Sequence, residues 1–144
     1  MAIGFAEGVS TPTIIVVDHE TLIREAVTDH LRNCGFHVLE AGDAEEAIEI
    51  MEASVEIDIV FSDIRMPGLG GVALAKWVLK NRPGIPLFLA SGNMGRAYAA
   101  HELFGARFFQ KSYALSMITE TFHAAVQARR RSQRRDSDPA SSNF

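Results

Sequence analysis

Apolar residues along this chain follow two alternating patterns, and together the patterns predict its secondary structure. Short apolar runs, typical of buried strands, occupy residues 14–17, 36–41, 57–61, 85–90 and 106–110. Between the runs, apolar residues recur three and four positions apart, which predicts amphipathic helices. The faces of these helices contain Leu22, Ala26, Val27 and Leu31; Ala44, Ala47, Ile48 and Met51; Leu74, Ala75, Val78 and Leu79; and Leu115, Ile118, Phe122 and Val126. Small residues at 97–104 predict one further helix.

The order of these elements predicts the fold class. Strands that alternate with helices over short connections form βαβ units, whose strands are parallel and whose helices cover both faces of the sheet. Because such crossovers are right-handed, we predict an α/β protein with a doubly wound, five-stranded parallel sheet in flavodoxin-like (βα)5 order. We expect a flexible segment at residues 1–11, one folded domain at 12–128 and a basic, disordered tail at 129–144.

The composition of the chain narrows its class without changing this prediction. A chain of 144 residues with 47% hydrophobic and 22% charged residues is typical of one globular domain. The only cysteine is Cys34, so an intramolecular disulfide is excluded. The chain has no apolar run of about 18 residues, and its first ten residues carry no basic side chain. We therefore expect a cytoplasmic protein that does not insert into a membrane.

Charge is distributed unevenly between the body of the chain and its C-terminal segment. Five arginines and two aspartates follow Ala128, whereas nine basic and 16 acidic residues precede it. Because the acidic body would repel phosphate, we do not expect nucleic acid as a partner. We interpret the arginines as a solvated helix end and tail, with binding to nucleic acid or to an acidic protein as the alternative.

Polar side chains follow four of the predicted strands. They are Asp18, His19 and Glu20 after the first strand, Ser62 and Asp63 after the third, Ser91 and Gly92 after the fourth, and Lys111 after the fifth. In open α/β sheets, ligands bind beyond the carboxyl ends of the strands. We therefore expect two or three carboxylates, a hydroxyl group and a lysine to meet at one edge of the sheet.

With these residues the chain resembles the receiver domain of two-component response regulators. The matching motifs, within about residues 13–128, are Ile-Val-Val-Asp at 15–18, Asp63 followed by Met66-Pro67 and Gly71, Leu-Ala-Ser-Gly at 89–92, and Phe-Gln-Lys at 109–111. Their order, spacing and positions at strand ends agree with that family.

The resemblance implies that Asp63 accepts a phosphoryl group from a histidine kinase or a phosphotransfer protein. Its carboxylate would act as the nucleophile and form an aspartyl-phosphate. The resemblance also implies a Mg²⁺ ion held by Asp18, Asp63 and the backbone carbonyl of Arg65, with Glu20 as a further candidate ligand. Ser91 and Lys111 would contact the phosphoryl oxygens.

A phosphorylation switch is a further implication. The added charge would draw the Ser91 hydroxyl toward the site, and the ring of Phe108, three residues before Lys111, would move into the vacated space. The alternative is that Phe108 stays buried in the core. The surface expected to change contains the helix at 97–104, the fifth strand and the last helix, and it would bind a downstream protein partner or a second copy of the chain.

Two positions depart from the family pattern. His19 stands where the family usually has a second acid, and imidazole suits Mn²⁺ or Zn²⁺ better than Mg²⁺. Either Asp18 or Glu20 compensates for the missing acid, or Mg²⁺ binding is weak or replaced by Mn²⁺. The alternative is that His19 is only a helix-start residue and Glu20 only a first-turn acid, with no ligand role for either. Ser112 stands where proline usually follows a cis bond, so we expect a trans bond and a helix-capping serine.

Three readings of the function remain open. The first is a single-domain response regulator, since about 15 residues after the last helix are too few for an output domain. It would be no enzyme beyond catalysing its own phosphorylation and dephosphorylation. The second is a degenerate receiver that binds partners without phosphorylation, favoured by His19 and Ser112. The third is a small hydrolase with Asp63 as nucleophile, for which the short loops leave little material. The chain could also be cut from a longer protein.

Overall fold

The computed structural model describes residues 10–53, 56–92, 105–111 and 113–137. Its five strands form one sheet in the order β2-β1-β3-β4-β5, and every neighbouring pair is parallel. The strands are β1 Thr13–Val17, β2 His37–Ala41, β3 Ile59–Asp63, β4 Leu87–Ser91 and β5 Arg107–Gln110. The described helices are α1 Thr21–Asn33, α2 Ala44–Glu52, α3 Gly70–Asn81 and α4 Leu115–Ser137. The predicted α/β fold class and flavodoxin-like strand order are confirmed, and the helix predicted at 97–104 lies outside the described residues.

The hydrophobic core lies on both faces of the sheet. On one face, side chains of β1, β3 and β4 pack against Leu31 of α1 and Phe122 of α4. On the other face, the same strands pack against Ala47 of α2 and Leu74 of α3. Because the central strands are covered on both sides, their residues are nearly all apolar, as the sequence pattern predicts. Among the described helices, none has the length and apolarity needed to cross a membrane.

Strands β3 and β4 begin two residues later than the apolar runs predict. The register of the sheet pairs Ile59 with Ile14 and Val60 with Leu87, so the ladder starts beyond the first apolar residues of each run. Asp63 and Ser91 are the last residues of their strands. Their backbones are therefore part of the sheet, paired with Ala90 and Gln110, and do not lie in a loop.

The first turn of α1 does not belong to the core. Leu22 is 82% exposed and Ala26 is also exposed, although the spacing of apolar residues predicts both on the buried face. The helix begins at the edge of the sheet, and it becomes buried only from Val27 onward. The apolar pattern was thus wrong for these two positions.

The last helix is longer than expected. Residues 129–137 continue α4, whereas the sequence led us to expect a disordered tail from 129. Nη1 of Arg129 donates hydrogen bonds to the Ile57 carbonyl and to Oδ1 of Asp58, both at 3.2 Å, and Arg130 donates to the Ser10 carbonyl. These contacts tie the helix to the amino-terminal end of the sheet, and arginine is itself a good helix former.

Candidate functional site

The carboxyl edge of the sheet brings together four of the polar residues expected there. Asp18 follows β1, Asp63 ends β3, Ser91 ends β4 and Lys111 follows β5. Since these strands are consecutive neighbours in the sheet, their ends lie side by side. Asp18, Asp63 and Ser91 are buried, with 6%, 3% and 3% exposure. Two carboxylates and a hydroxyl group are thus withdrawn from bulk water at one edge.

Asp63 is held from two sides. Nζ of Lys111 donates to its Oδ2 at 2.7 Å, and the backbone N–H of Arg65 donates to its Oδ1 at 3.0 Å. The same ammonium lies 3.6 Å from Oε1 of Glu20. Burial alone would lower the pKa of Lys111, but its hydrogen bond to Asp63 and the surrounding negative charges raise the pKa above its ordinary value. Lys111 is therefore a fixed cation against the Asp63 carboxylate.

Asp18 is fixed by the turn into α1. Its Oδ1 accepts a hydrogen bond from the Glu20 N–H at 2.9 Å, and its carbonyl accepts one from Nη1 of Arg24 at 2.7 Å. Arg24 is also 3.3 Å from Oε1 of Glu40 on β2. Sequence analysis missed Arg24, because most arginines on helices are solvated and the sequence gives no sign that this one contacts the site. The connection between β1 and α1 is thereby tied to β2.

The charges of this edge suit a bound cation. Ligand atoms of Asp18, His19, Glu20 and Asp63 lie within 4.8 Å of one another. Burial raises the pKa of Asp18, and the negative charge of Asp63 raises it further, while the hydrogen bond from the Glu20 N–H opposes the rise. A divalent cation between the two buried carboxylates would remove their repulsion. Carboxylate oxygens are the ligands that Mg²⁺ prefers, so the donor set fits such an ion.

The connection after β3 is shaped by a close backbone approach. A Cβ atom at Gly71 would lie 2.3 Å from the Asp63 carbonyl oxygen and 2.5 Å from Cα of Ile64, so only glycine fits there. The Gly71 N–H donates to the Ile64 carbonyl at 3.0 Å. Oε1 of Glu45, a residue that sequence analysis missed, accepts a hydrogen bond from the Leu69 N–H at 3.1 Å. The segment that carries Arg65 is therefore held at both ends.

Comparison with known proteins identifies this arrangement. The family model of the response regulator receiver domain matches residues 14–123. The chain belongs to this family. Receiver domains are signalling domains of two-component systems and are generally not classed as enzymes.

Curated relatives of this receiver domain are larger proteins. The chain is 31% identical over 139 residues to the C4-dicarboxylate transport transcriptional regulatory protein DctD of Rhizobium meliloti (strain 1021). That alignment covers 92% of this chain and 30% of DctD. It is 33% identical over 112 residues to the sensor kinase CckA of Brucella abortus (strain 2308). That alignment covers 76% of this chain and 12% of CckA. The chain thus spans less than a third of either relative.

Solved receiver structures share the fold. The receiver domain of NtrX from Brucella abortus aligns with a TM-score of 0.71 and 29% identity, over 79% of this chain and 98% of that one. A CheY-like receiver domain protein from Methanospirillum hungatei JF-1 aligns with a TM-score of 0.76 and 21% identity, over 85% and 99% of the two chains. The second likeness concerns the fold alone.

Ser91 and Phe108, the expected switch residues of this receiver domain, lie on neighbouring strands. Ser91 pairs with Gln110 and Leu89 pairs with Phe108, so Phe108 lies two residues further from the carboxyl edge, on the same face of the sheet. Its ring is half-buried against the core on the α3 side. Ser112 and the helix predicted at 97–104 lie outside the described residues.

Tyr113 borders the site and was also missed by sequence analysis. Its ring packs against Phe61 and Phe109, with centroid distances of 5.9 and 6.3 Å. A cavity of about 10 Å³, close to the volume that one water molecule needs, is lined by Tyr113, Asp18 and Asp63, among others. Burial and the charges of both aspartates raise the pKa of the Tyr113 phenol, which keeps it neutral.

Proposed function

We propose that this receiver domain accepts a phosphoryl group on Asp63 from a histidine kinase or a phosphotransfer protein. The observation that carries the proposal is the setting of the Asp63 carboxylate. It is buried at the carboxyl edge of the sheet, 2.7 Å from the Lys111 ammonium and beside a second buried carboxylate, Asp18. Such a pairing of a nucleophile with fixed positive charge is what phosphoryl transfer requires.

The proposed reaction uses one carboxylate oxygen of Asp63. That oxygen forms a bond to phosphorus while the bond from phosphorus to the donor nitrogen or oxygen breaks, and the electron pair leaves with the donor. The product is a mixed anhydride, which water later hydrolyses to restore the carboxylate. Lys111 and the Ser91 hydroxyl stabilise the phosphoryl oxygens. Any catalysis is limited to the domain's own phosphorylation and dephosphorylation.

A divalent cation completes the proposed site. Asp18, Asp63 and the carbonyl of Arg65 would hold Mg²⁺, with Glu20 as an additional carboxylate, and bound Mg²⁺ would supply charge neutralisation for the transferred group. This positive charge would stabilise the ionised form of Asp18, because the Asp18 carboxyl is buried and faces the negative charge of Asp63. The position of His19 among these residues weakens the site for Mg²⁺ and favours replacement by Mn²⁺.

The proposed signal is a change of the partner-binding face. Phosphorylation adds nearly two negative charges and new hydrogen-bond acceptors beside Ser91. Movement of its hydroxyl toward them leaves room for Phe108, whose half-buried ring lies two residues along the same face. The change reaches the surface around β5 and α4, where a downstream protein or a second copy of the chain would bind.

The second candidate function is a receiver that binds partners without phosphorylation. The observation in its favour is His19, which replaces a carboxylate at the cation site. In that case the contact between Lys111 and Asp63 is a permanent salt bridge. The two functions differ in whether Asp63 takes up phosphate.

Intact-mass measurement after incubation with a small-molecule phosphoryl donor separates the two functions. The donor is added with Mg²⁺, with Mn²⁺ and without a divalent cation to the wild type, to Asp63→Asn and to Asp58→Asn. Asp58 is a matched control, because it lies just before the opposite end of β3 and pairs with Arg129. We expect one cation-dependent phosphoryl group on the wild type and the control, and none on Asp63→Asn. A folded wild type that takes up no phosphoryl group with either cation would instead support the phosphorylation-independent module.

A further inference from the structure

His19 gives the cation site of this receiver domain a ligand of a different kind. We propose that Nδ1 of His19 binds the cation directly, so that the site prefers Mn²⁺ and other first-row transition-metal ions over Mg²⁺. The inference rests on the cation site of the proposed function and specifies which ion that site selects.

The positions of the ligand atoms are compatible with one shared ion. Nδ1 of His19 lies 3.9 Å from Oδ1 of Asp18, and all four candidate ligand atoms lie within 4.8 Å of one another. Ligands bound at about 2.1 Å lie about 3.0 Å apart when adjacent in an octahedron and about 4.2 Å apart when opposite. The 3.9 Å between His19 and Asp18 lies between these two values, and any separation above the longer one shortens when the ligands close on an ion. Only small side-chain movements are needed to close the site around an ion.

Burial divides the four ligands into a buried pair and a partly exposed pair. Asp18 and Asp63 are buried and held by the backbone N–H groups of Glu20 and Arg65. The side chains of His19 and Glu20 are 39% and 49% exposed. An ion can therefore sit on the two fixed carboxylates while His19 turns onto it from the rim at little cost in desolvation.

The identity of the ligands determines the selectivity. Mg²⁺ loses its water reluctantly and binds oxygen ligands, so an imidazole contributes little to its affinity. Transition-metal ions accept imidazole nitrogen readily. The Lys111 ammonium lies 2.7 Å from Asp63 and 3.6 Å from Glu20, and it competes with any cation for these carboxylates. An ion that gains a nitrogen ligand overcomes this competition better than one that does not.

Direct metal binding by the full chain tests the inference. Affinities for Mg²⁺ and Mn²⁺ are measured by calorimetry for the wild type, His19→Asp, His19→Ala and His37→Ala. Pulsed electron paramagnetic resonance of the Mn²⁺-loaded proteins detects nitrogen bound to the metal. His37 is a suitable control, because it is an exposed histidine at the start of β2, the end of the strand away from the site.

We expect a nitrogen signal in the wild type and in His37→Ala and none in either His19 variant. His19→Asp should bind Mg²⁺ more tightly, and its preference for Mn²⁺ over Mg²⁺ should be about tenfold smaller than that of the wild type. A wild type without the nitrogen signal, or an unchanged preference in His19→Asp, would overturn the inference.

The outcomes also distinguish this inference from the proposed function. Phosphoryl uptake on Asp63 without metal-bound nitrogen would leave the proposed function intact and reject the role of His19. Metal-bound nitrogen without phosphoryl uptake would do the reverse. If neither ion binds, both proposals fail.

Discussion

Gly71 lies so close to the backbone of Asp63 that one added methyl group would collide with it. In Gly71→Ala the new Cβ would be 2.3 Å from the Asp63 carbonyl oxygen, 2.5 Å from Cα of Ile64 and 2.7 Å from the Ile64 carbonyl oxygen. Ordinary contacts of a Cβ atom begin near 3.4 Å. All three neighbours are backbone atoms, so a side-chain rotation cannot relieve the overlap.

The size of the expected effect follows from this overlap. The end of β3 and the start of α3 would have to separate by about 1 Å. The atoms there are closely packed, so the separation would weaken their dispersion contacts. Overpacking costs about 1–3 kcal/mol, and a clash with rigid backbone belongs at the upper end. The higher helix propensity of alanine relative to glycine offsets less than about 1 kcal/mol of this loss, because residue 71 lies in the first turn of α3. We expect Gly71→Ala to lower the free energy of unfolding by about 2–3 kcal/mol.

Urea unfolding of three glycine variants measures this effect. Nothing lies within 4 Å of a Cβ at Gly84, so Gly84→Ala should change the free energy of unfolding by less than about 0.5 kcal/mol. Gly70→Ala also meets no neighbour but has a φ of +76°, so it should cost about 1 kcal/mol from backbone strain alone. A Gly71→Ala variant as stable as Gly84→Ala would refute the close approach and the constraint that it places on Asp63.

Two further predictions concern the charges of the fold and the site. Because the pKa of Asp18 is raised in the folded chain, its contribution to stability falls as pH rises from its ordinary pKa of 3.8 through the raised value. Asp18→Asn should therefore make the metal-free protein more stable by about 1 kcal/mol at about pH 7 and by less at about pH 4. An equal gain in stability at both pH values would contradict the assignment of the effect to the raised pKa of Asp18. Arg129→Met should lower the free energy of unfolding by about 1–2 kcal/mol, because it leaves the partly buried Asp58 without its cation. Arg131 is exposed, so the control variant Arg131→Met should change the free energy of unfolding by less than about 0.5 kcal/mol. Chemical denaturation measures both, and equal effects at the two arginines would contradict the anchoring of α4.

The fold was predictable because its signals are local. The apolar runs at 14–17 and 57–61 and the helix spacing between them are enough to specify parallel strands covered on both sides. In such a sheet the strand ends meet at one edge, so the sequence alone predicts that Asp18, Asp63 and Lys111 lie together.

The features that the sequence did not predict depend on contacts between distant residues. The start of β3 is set by its pairing with β1 rather than by the apolar run that contains it. Arg24 acts through Glu40, 16 residues away, and Glu45 through Leu69, 24 residues away. In the extended part of α4, Arg129 contacts Asp58, 71 residues away. Each of these residue types is common on solvated surfaces, so the pattern alone gives no signal.

The location of the phosphoryl group tests the central claim most directly. The wild type is treated with a phosphoryl donor and a divalent cation, reduced with borohydride and digested, and the peptides are sequenced by mass spectrometry. An aspartyl-phosphate is reduced to homoserine, so the modified residue is identified even where Asp18 and Asp63 share the same pocket. We predict homoserine at position 63 alone. Homoserine at 18, or at neither position after phosphoryl uptake, would contradict the assignment of Asp63 as the phosphoacceptor.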